Sequence, residues 1–262
     1  MAYDAKQASP LTPSLPLSES VPLDVWSQLS PGSVHLWQMQ VTAVQGELAP
    51  WQGWLSADET ARAERFRRDP DRRRFILSRG GLRYLLGRYL NCDPATLTFE
   101  YGEYGKPGLP LITATTAPLH FNLAHSAGWV VYGFSRDRPI GVDVEQIQPR
   151  VSLEGLIQRC LTPTEQATLP ADAGDRLRVF MHYWTLKEAH LKAIGQGLSY
   201  AMNQVEILWG QPPCLGLPAK LPHHDPLPWH IRTWYPAASM VAAVCGVFRA
   251  GAIDLYSFPP IL

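Results

Sequence analysis

The chain has few cysteines, no net charge and no long apolar run, and each shortage excludes something. Its four cysteines, Cys92, Cys160, Cys214 and Cys245, are scattered over 262 residues. None falls in a CxxC or Cys/His spacing, so neither a structural zinc site nor a disulfide framework is expected, and a reducing, cytoplasmic setting fits. Lysine and arginine (23) balance aspartate and glutamate (23). Any electrostatic preference for a partner must therefore be local. No apolar run has the length of a bilayer-crossing helix. The opening MAYDAKQASPLTPSLPLSES lacks the apolar centre of a secretory leader, and its Pro/Ser content predicts a mobile tail over residues 1–20.

Hydrophobic residues make up 46% and charged residues 18%. That composition predicts a globular chain with an ample core, in one large domain or two modest ones. Residues 33–41, SVHLWQMQV, alternate as a strand does. LSADETARAERF then carries a helix start, with Ser56 as N-cap and Glu59 three residues on. Apolar residues Phe75, Leu82, Leu85, Leu86 and Tyr89 recur at helical spacing between Asp71 and Leu90. Residues 120–147 contain two or three strands, with SRDRP as the turn before IGVDVE. A second start signal, Thr162 with Glu165, precedes a long helix over 176–194 that stops at Gly195. QVEILW, WHIRTWY and SMVAAVCGVF read as further strands. Each half thus reads as helices plus a few antiparallel strands, with element order alone hinting at duplication.

In IGVDVE, Ile140, Val142 and Val144 point one way, and Gly141, Asp143 and Glu145 the other. Two carboxylates that close raise each other's pKa, and a hard cation such as Mg²⁺ removes the penalty. A solvent-facing edge with two ordinary acids fits the same pattern. In FMHYWTLKEAHLKAIG, Lys187 falls inside the apolar stripe of Phe180, Trp184 and Leu191, with Glu188 at its margin. Lys187 therefore needs a partner or a polar cavity. Glu188 and Lys192 stand one turn apart, as an ordinary surface pair also would. YGKPGLP holds Lys106 on a tight loop suited to phosphate, or to a plain turn. His125 ends the strand FNLAHS, where histidine is commonly structural. Ten arginines crowd residues 62–88. They form either a solvated helix face or a cradle for several phosphates.

Taken in order, GKP, FNLAHS, IGVDVE, TPTE and WTLKEAHLKAIGQGLS resemble the 4′-phosphopantetheinyl transferases, of the large, surfactin-synthetase-activating type. The likeness runs from about Ser56 to Ser199 and rests on G-x-D-x-E together with W-x-x-K-E-x-x-x-K. It implies an α+β fold of two similar halves related by a pseudo-twofold, each with helices on a small antiparallel sheet. The halves would span 21–137 and 138–262, with coenzyme A in the cleft between them. It implies transfer of the phosphopantetheine arm of coenzyme A to a serine of an apo carrier protein, acyl or peptidyl, including carrier domains of polyketide and peptide synthases. A monomer acting with neither membrane nor nucleic acid is implied as well. By the same resemblance Asp143, Glu145 and Glu188 would hold Mg²⁺, with Mn²⁺ as an alternative. Arg62, Arg74, Lys106, Pro107, His125 and Lys187 would contact coenzyme A. Lys192 would stabilise the leaving oxygen, and either Glu188 or Glu165 would take the serine proton. One departure stands out: Ala124 occupies the place of a serine in the family's HFN-x-S-H-S, which puts one phosphate or base contact in question. A non-catalytic coenzyme A or carrier-binding module of the same fold, or a phosphohydrolase acting on coenzyme A, is the competing expectation.

Overall fold

In the computed structural model the described residues are 15–18, 20–110, 118–149, 152–196, 201–208, 214–216, 229–249 and 251–259. Residues 1–14 of the expected tail, Val151 and Ser199 lie outside them, as does the side chain of Cys214. In chain order the elements are α1 (Val25–Gln28), β1 (Val34–Gln40), α2 (Ala49–Gly53), α3 (Ala57–Glu64), α4 (Asp69–Leu90), β2 (Glu100–Tyr101), β3 (Pro107–Gly108), β4 (Leu119–Ser126), β5 (Trp129–Arg136) and β6 (Ile140–Gln146). They continue with α5 (Leu153–Cys160), α6 (Pro163–Ala167), α7 (Ala173–Ile194), β7 (Glu206–Leu208), β8 (Cys214–Gly216), β9 (His230–Trp234), β10 (Met240–Gly246) and β11 (Ile253–Ser257).

Among the described residues two large sheets form, ordered β11-β1-β5-β4 and β6-β10-β9-β8-β7, and β2 and β3 pair as a small third one. The period-2 alternation of their strands sorts side chains between two environments. Val34 and Leu36 of β1, Val131 of β5, Ile140, Val142 and Val144 of β6, and Ala242 and Val244 of β10 meet in one core between the sheets. Trp37, Met39, Tyr132 and Phe134 face the other way, against Ile76, Leu82 and Leu86 of α4. Val241, Ala243 and Cys245 likewise face Phe180, Leu186 and Ala189 of α7. The result is four layers, helix–sheet–sheet–helix. Each fully buried aliphatic or aromatic side chain contributes roughly 1.5–3 kcal/mol.

The order β1, α3, α4, β4, β5 is followed along the chain by a similar order, β6, α6, α7, β9, β10, and the last strand of each set is interior to its sheet. Both capping boxes form. Their glutamates make the same long-range contact, Glu59 Oε2 accepting from Arg83 Nε at 2.6 Å and Glu165 Oε2 from Lys187 Nζ at 2.5 Å. These pairs lie 24 and 22 residues apart in the chain.

Three connections shape the fold. SRDRP, the expected turn, joins β5 to β6, and because those strands belong to different sheets it is a sheet-to-sheet connection. The hairpin lies earlier, between β4 and β5, where Ala127 and Gly128 take positive φ (45° and 83°). Finally, β11 crosses back to pair in parallel with β1, so the C-terminal residues complete the first half's sheet.

Candidate active site

Strand β6 and helix α7 bring the site together, and Gly141 sets their separation. A Cβ on Gly141 would stand 2.0 Å from the Ala189 carbonyl oxygen and 2.4 Å from the Ala193 nitrogen. Only glycine lets the helix backbone lie this close to the strand. The approach places Lys192 over β6, where its Nζ donates to Asp143 Oδ1 at 2.5 Å. Asp143 is buried, and its Oδ2 has no hydrogen-bond partner. Burial pushes the Asp143 carboxyl up to about 6, with Lys192 opposing and Glu145 reinforcing the shift. The half-buried Glu188 rises further, to about 7, first through burial, then through the charges of Asp143 and Glu145, with Lys192 opposing. Glu188 on the helix therefore senses the two strand acids across the strand–helix contact. Glu145 Oε2 accepts from Ser126 Oγ of β4 at 3.2 Å.

A cationic group adjoins the acids. The His125 ring reaches solvent, yet desolvation by its neighbours lowers its pKa, followed by the charges of Arg74, Lys192 and Arg62. Those cations come from α4, α7 and α3 respectively. Arg62 stacks over the Phe75 ring at 5.3 Å, and Arg74 pairs with Asp71 at 2.9 Å.

Other expected site residues stand elsewhere. Glu165 of α6 and Lys187 of α7 are both buried. Glu165 accepts through Oε2 from Thr162 N and through Oε1 from Ile207 N, at 2.8 and 2.9 Å. Lys187 also donates to the carbonyls of Cys160 and Met202, at 2.9 and 3.1 Å, so its three donors are used. As placed, these two side chains hold each other and the backbone. Lys106 likewise meets backbone carbonyls. Its Nζ donates to the carbonyls of Lys192 at 2.6 Å, Ile140 at 3.2 Å and Ala193 at 3.3 Å, and burial pushes its pKa down to about 8. Ala124 is buried in the core between the sheets. A cavity of about 860 Å³ opens beside Lys106 and Pro107, lined also by His120, Phe121, Arg136 and Gly195, but none of Asp143, Glu145 and Glu188 lines it.

Among the described residues no three His, Cys, Asp or Glu side chains are grouped to hold an ion as they stand, since Lys192 takes Asp143 Oδ1. The donor set nonetheless suits a hard divalent cation. It has an unpartnered buried carboxylate oxygen and three mutually repelling acids, whose combined charge a cation relieves. The sequence did not reveal Asn122, whose buried side chain accepts from Val142 N at 2.9 Å beside Asp143. Only its place in FNLAHS could have marked it.

Carboxylates beside guanidinium groups are side chains whose chemistry suits phosphate groups and a divalent ion. The sequence matches two family profiles, "4′-phosphopantetheinyl transferase superfamily" over residues 139–245 and "4′-phosphopantetheinyl transferase, N-terminal" over 42–135. It is 38% identical over 175 residues to the 4′-phosphopantetheinyl transferase HetI of Nostoc sp., covering 66% of this chain and 73% of that protein. It is 29% identical over 202 residues to the transferase Sfp of Bacillus subtilis, covering 77% and 86%. A third relative, psf-1 of Bacillus pumilus, is 31% identical over 193 residues, covering 73% and 78%. The chain belongs to the 4′-phosphopantetheinyl transferase superfamily.

Proposed function

We propose that this protein transfers the 4′-phosphopantetheine group from coenzyme A to a serine hydroxyl of an apo carrier protein. The serine oxygen attacks the phosphorus that bears the pantetheine arm. A new P–O bond forms, the pyrophosphate bridge breaks, and adenosine 3′,5′-bisphosphate leaves. The observation that carries the reading is the junction of Asp143, Glu188 and Lys192 across the β6–α7 contact, with His125, Arg62 and Arg74 adjoining.

Phosphoryl transfer asks a protein mainly for positioning and charge neutralisation. Arg62, Arg74 and His125 suit the coenzyme A phosphates, because guanidinium forks match phosphate oxygens. Lys192 suits the charge that grows on the departing oxygen. Glu188, beside the Lys192–Asp143 contact, offers a carboxylate to accept the serine proton. Glu165 lacks a free oxygen for that task, since Lys187, Thr162 and Ile207 hold both. Asp143, Glu145 and Glu188 would hold Mg²⁺, or Mn²⁺ in its place. Bound there, the ion supplies charge neutralisation to the pyrophosphate.

The carrier partner in this reading is a small acidic helical domain. The exposed Arg65, Arg67, Arg68 and Arg72 beside α3 and α4, together with α5, offer it basic and apolar surface. Intact-mass spectrometry of apo acyl and peptidyl carriers, incubated with this protein, coenzyme A and Mg²⁺, tests the proposal. The expected outcome is a carrier heavier by one phosphopantetheine group. Coenzyme A binding without carrier modification, or release of adenosine 3′,5′-bisphosphate with no carrier present, would overturn it in favour of a binding module or a hydrolase.

A further inference from the structure

Among the described residues strand β6 is the edge of its sheet, paired only with β10, and β4 is the corresponding edge of the other sheet, paired only with β5. The free edge of β6 lies against β4, buried: Ile140 is 1% and Val142 0% exposed. Buried backbone groups of an edge strand need partners. No ladder joins the two sheets here, and two side chains of the first half supply the partners instead. Asn122 Oδ1 accepts from Val142 N at 2.9 Å. Lys106 Nζ donates to Ile140 O at 3.2 Å. The same Nζ donates to the carbonyls of Lys192 and Ala193, at 2.6 and 3.3 Å, in the last turn of α7. Lys106 thus caps the C-terminus of α7, where a cation suits the helix dipole. These bonds reach the backbone on both sides of Gly141, next to Asp143, and the backbone of Lys192 itself.

We propose that Lys106 and Asn122 are positioning residues that fasten β6 and α7 into the one register in which Lys192 and Glu188 meet Asp143. Lys106 acts as a half-buried backbone clamp and not as a phosphate contact. Asn122 stands in for the ladder bond that the sheet-to-sheet seam lacks. This rests on the proposed transfer reaction for its kinetic consequence, but the clamp itself can be tested without it.

The first test uses the unaltered protein, acetylated with an amine-reactive ester with and without coenzyme A, with peptide-level mass readout. Lys192, whose side chain is 30% exposed, serves as the labelled reference. Lys106 is expected to stay unlabelled in both samples. Ready labelling of Lys106 in the free protein, with protection by coenzyme A, overturns the clamp. The second test compares Lys106→Met and Asn122→Leu in kcat, KM for coenzyme A and amide exchange. A clamp predicts kcat lower by at least about tenfold, KM for coenzyme A changed less than about threefold, and faster exchange across β6 and the end of α7. A raised KM at unchanged kcat, or unchanged exchange, overturns it. If the variants do not fold, the labelling result decides. If the unaltered protein modifies no carrier, the transfer reading fails while the labelling still judges the clamp.

Discussion

Substituting Gly141 by alanine should separate strand from helix and slow the reaction more than it unfolds the protein. The added Cβ would begin 2.0 Å from the Ala189 carbonyl oxygen and 2.4 Å from Ala193 N, both backbone atoms that cannot swing aside. A relaxed carbon–oxygen contact is about 3.3 Å. The helix must therefore retreat by about 1.3 Å. The Lys192–Asp143 contact, 2.5 Å now, would open to nearly 4 Å, beyond hydrogen-bond range. A misplacement of about 1 Å can cost on the order of 100-fold in rate. Overpacking of this kind destabilises by about 1–3 kcal/mol, and a chain of this size loses roughly 2–4 °C in Tm per kcal/mol. The assay is kcat for carrier modification at saturating coenzyme A, beside a thermal melt. The expected variant is folded, several degrees less stable and about 100-fold slower. Wild-type kcat with wild-type Tm would refute the close-approach argument. A normal rate with a lowered Tm would refute the link between helix placement and chemistry.

Breaking the buried Glu165–Lys187 pair should cost about 3–5 kcal/mol for either Glu165→Leu or Lys187→Met, and clearly less for the double variant, because the singles strand a buried charge. A denaturant double-mutant cycle reads this, and additive losses would contradict it. Glu188, raised from 4.5 to about 7, is more protonated folded than unfolded between those pH values. Its contribution to stability is therefore full below about pH 4.5 and is lost as pH rises through 7. In chelator-treated protein Glu188→Gln should be more stable than wild type at pH 8, by about 1–3 kcal/mol, and equal to it near pH 4. Equal melts at pH 8 would argue against the crowding of acids. Lys192→Met should lower kcat while raising the Asp143 carboxyl pKa further, since the ammonium opposes its rise. An unmoved acid limb in the pH–rate profile would count against the contact.

Much of the fold was legible because it rests on local signals. Alternation in residues 33–41 and 140–145, the capping boxes at Ser56 and Thr162, and the stop at Gly195 each depend on neighbours in sequence. The pair Asp143 and Glu145 was legible for the same reason, since a strand puts alternate residues on one face. What escaped depended on distant partners. Lys187 announced by its place in an apolar stripe that it needed a counter-charge, but nothing local named Glu165, 22 residues earlier. Lys106 has the residue type of a phosphate contact, and only the fold shows that carbonyls from β6 and α7 hold it. The role of Gly141 lay between these cases. A missing side chain was visible, whereas the helix backbone filling its space was not.

The most direct test of the account follows carrier mass in parallel reactions containing coenzyme A, Mg²⁺ and either the unaltered protein or Asp143→Asn, with coenzyme A binding measured on both. The account predicts full modification by the unaltered protein and none by the variant, which stays folded and still binds coenzyme A through the cationic group. Equal modification by both proteins would contradict it.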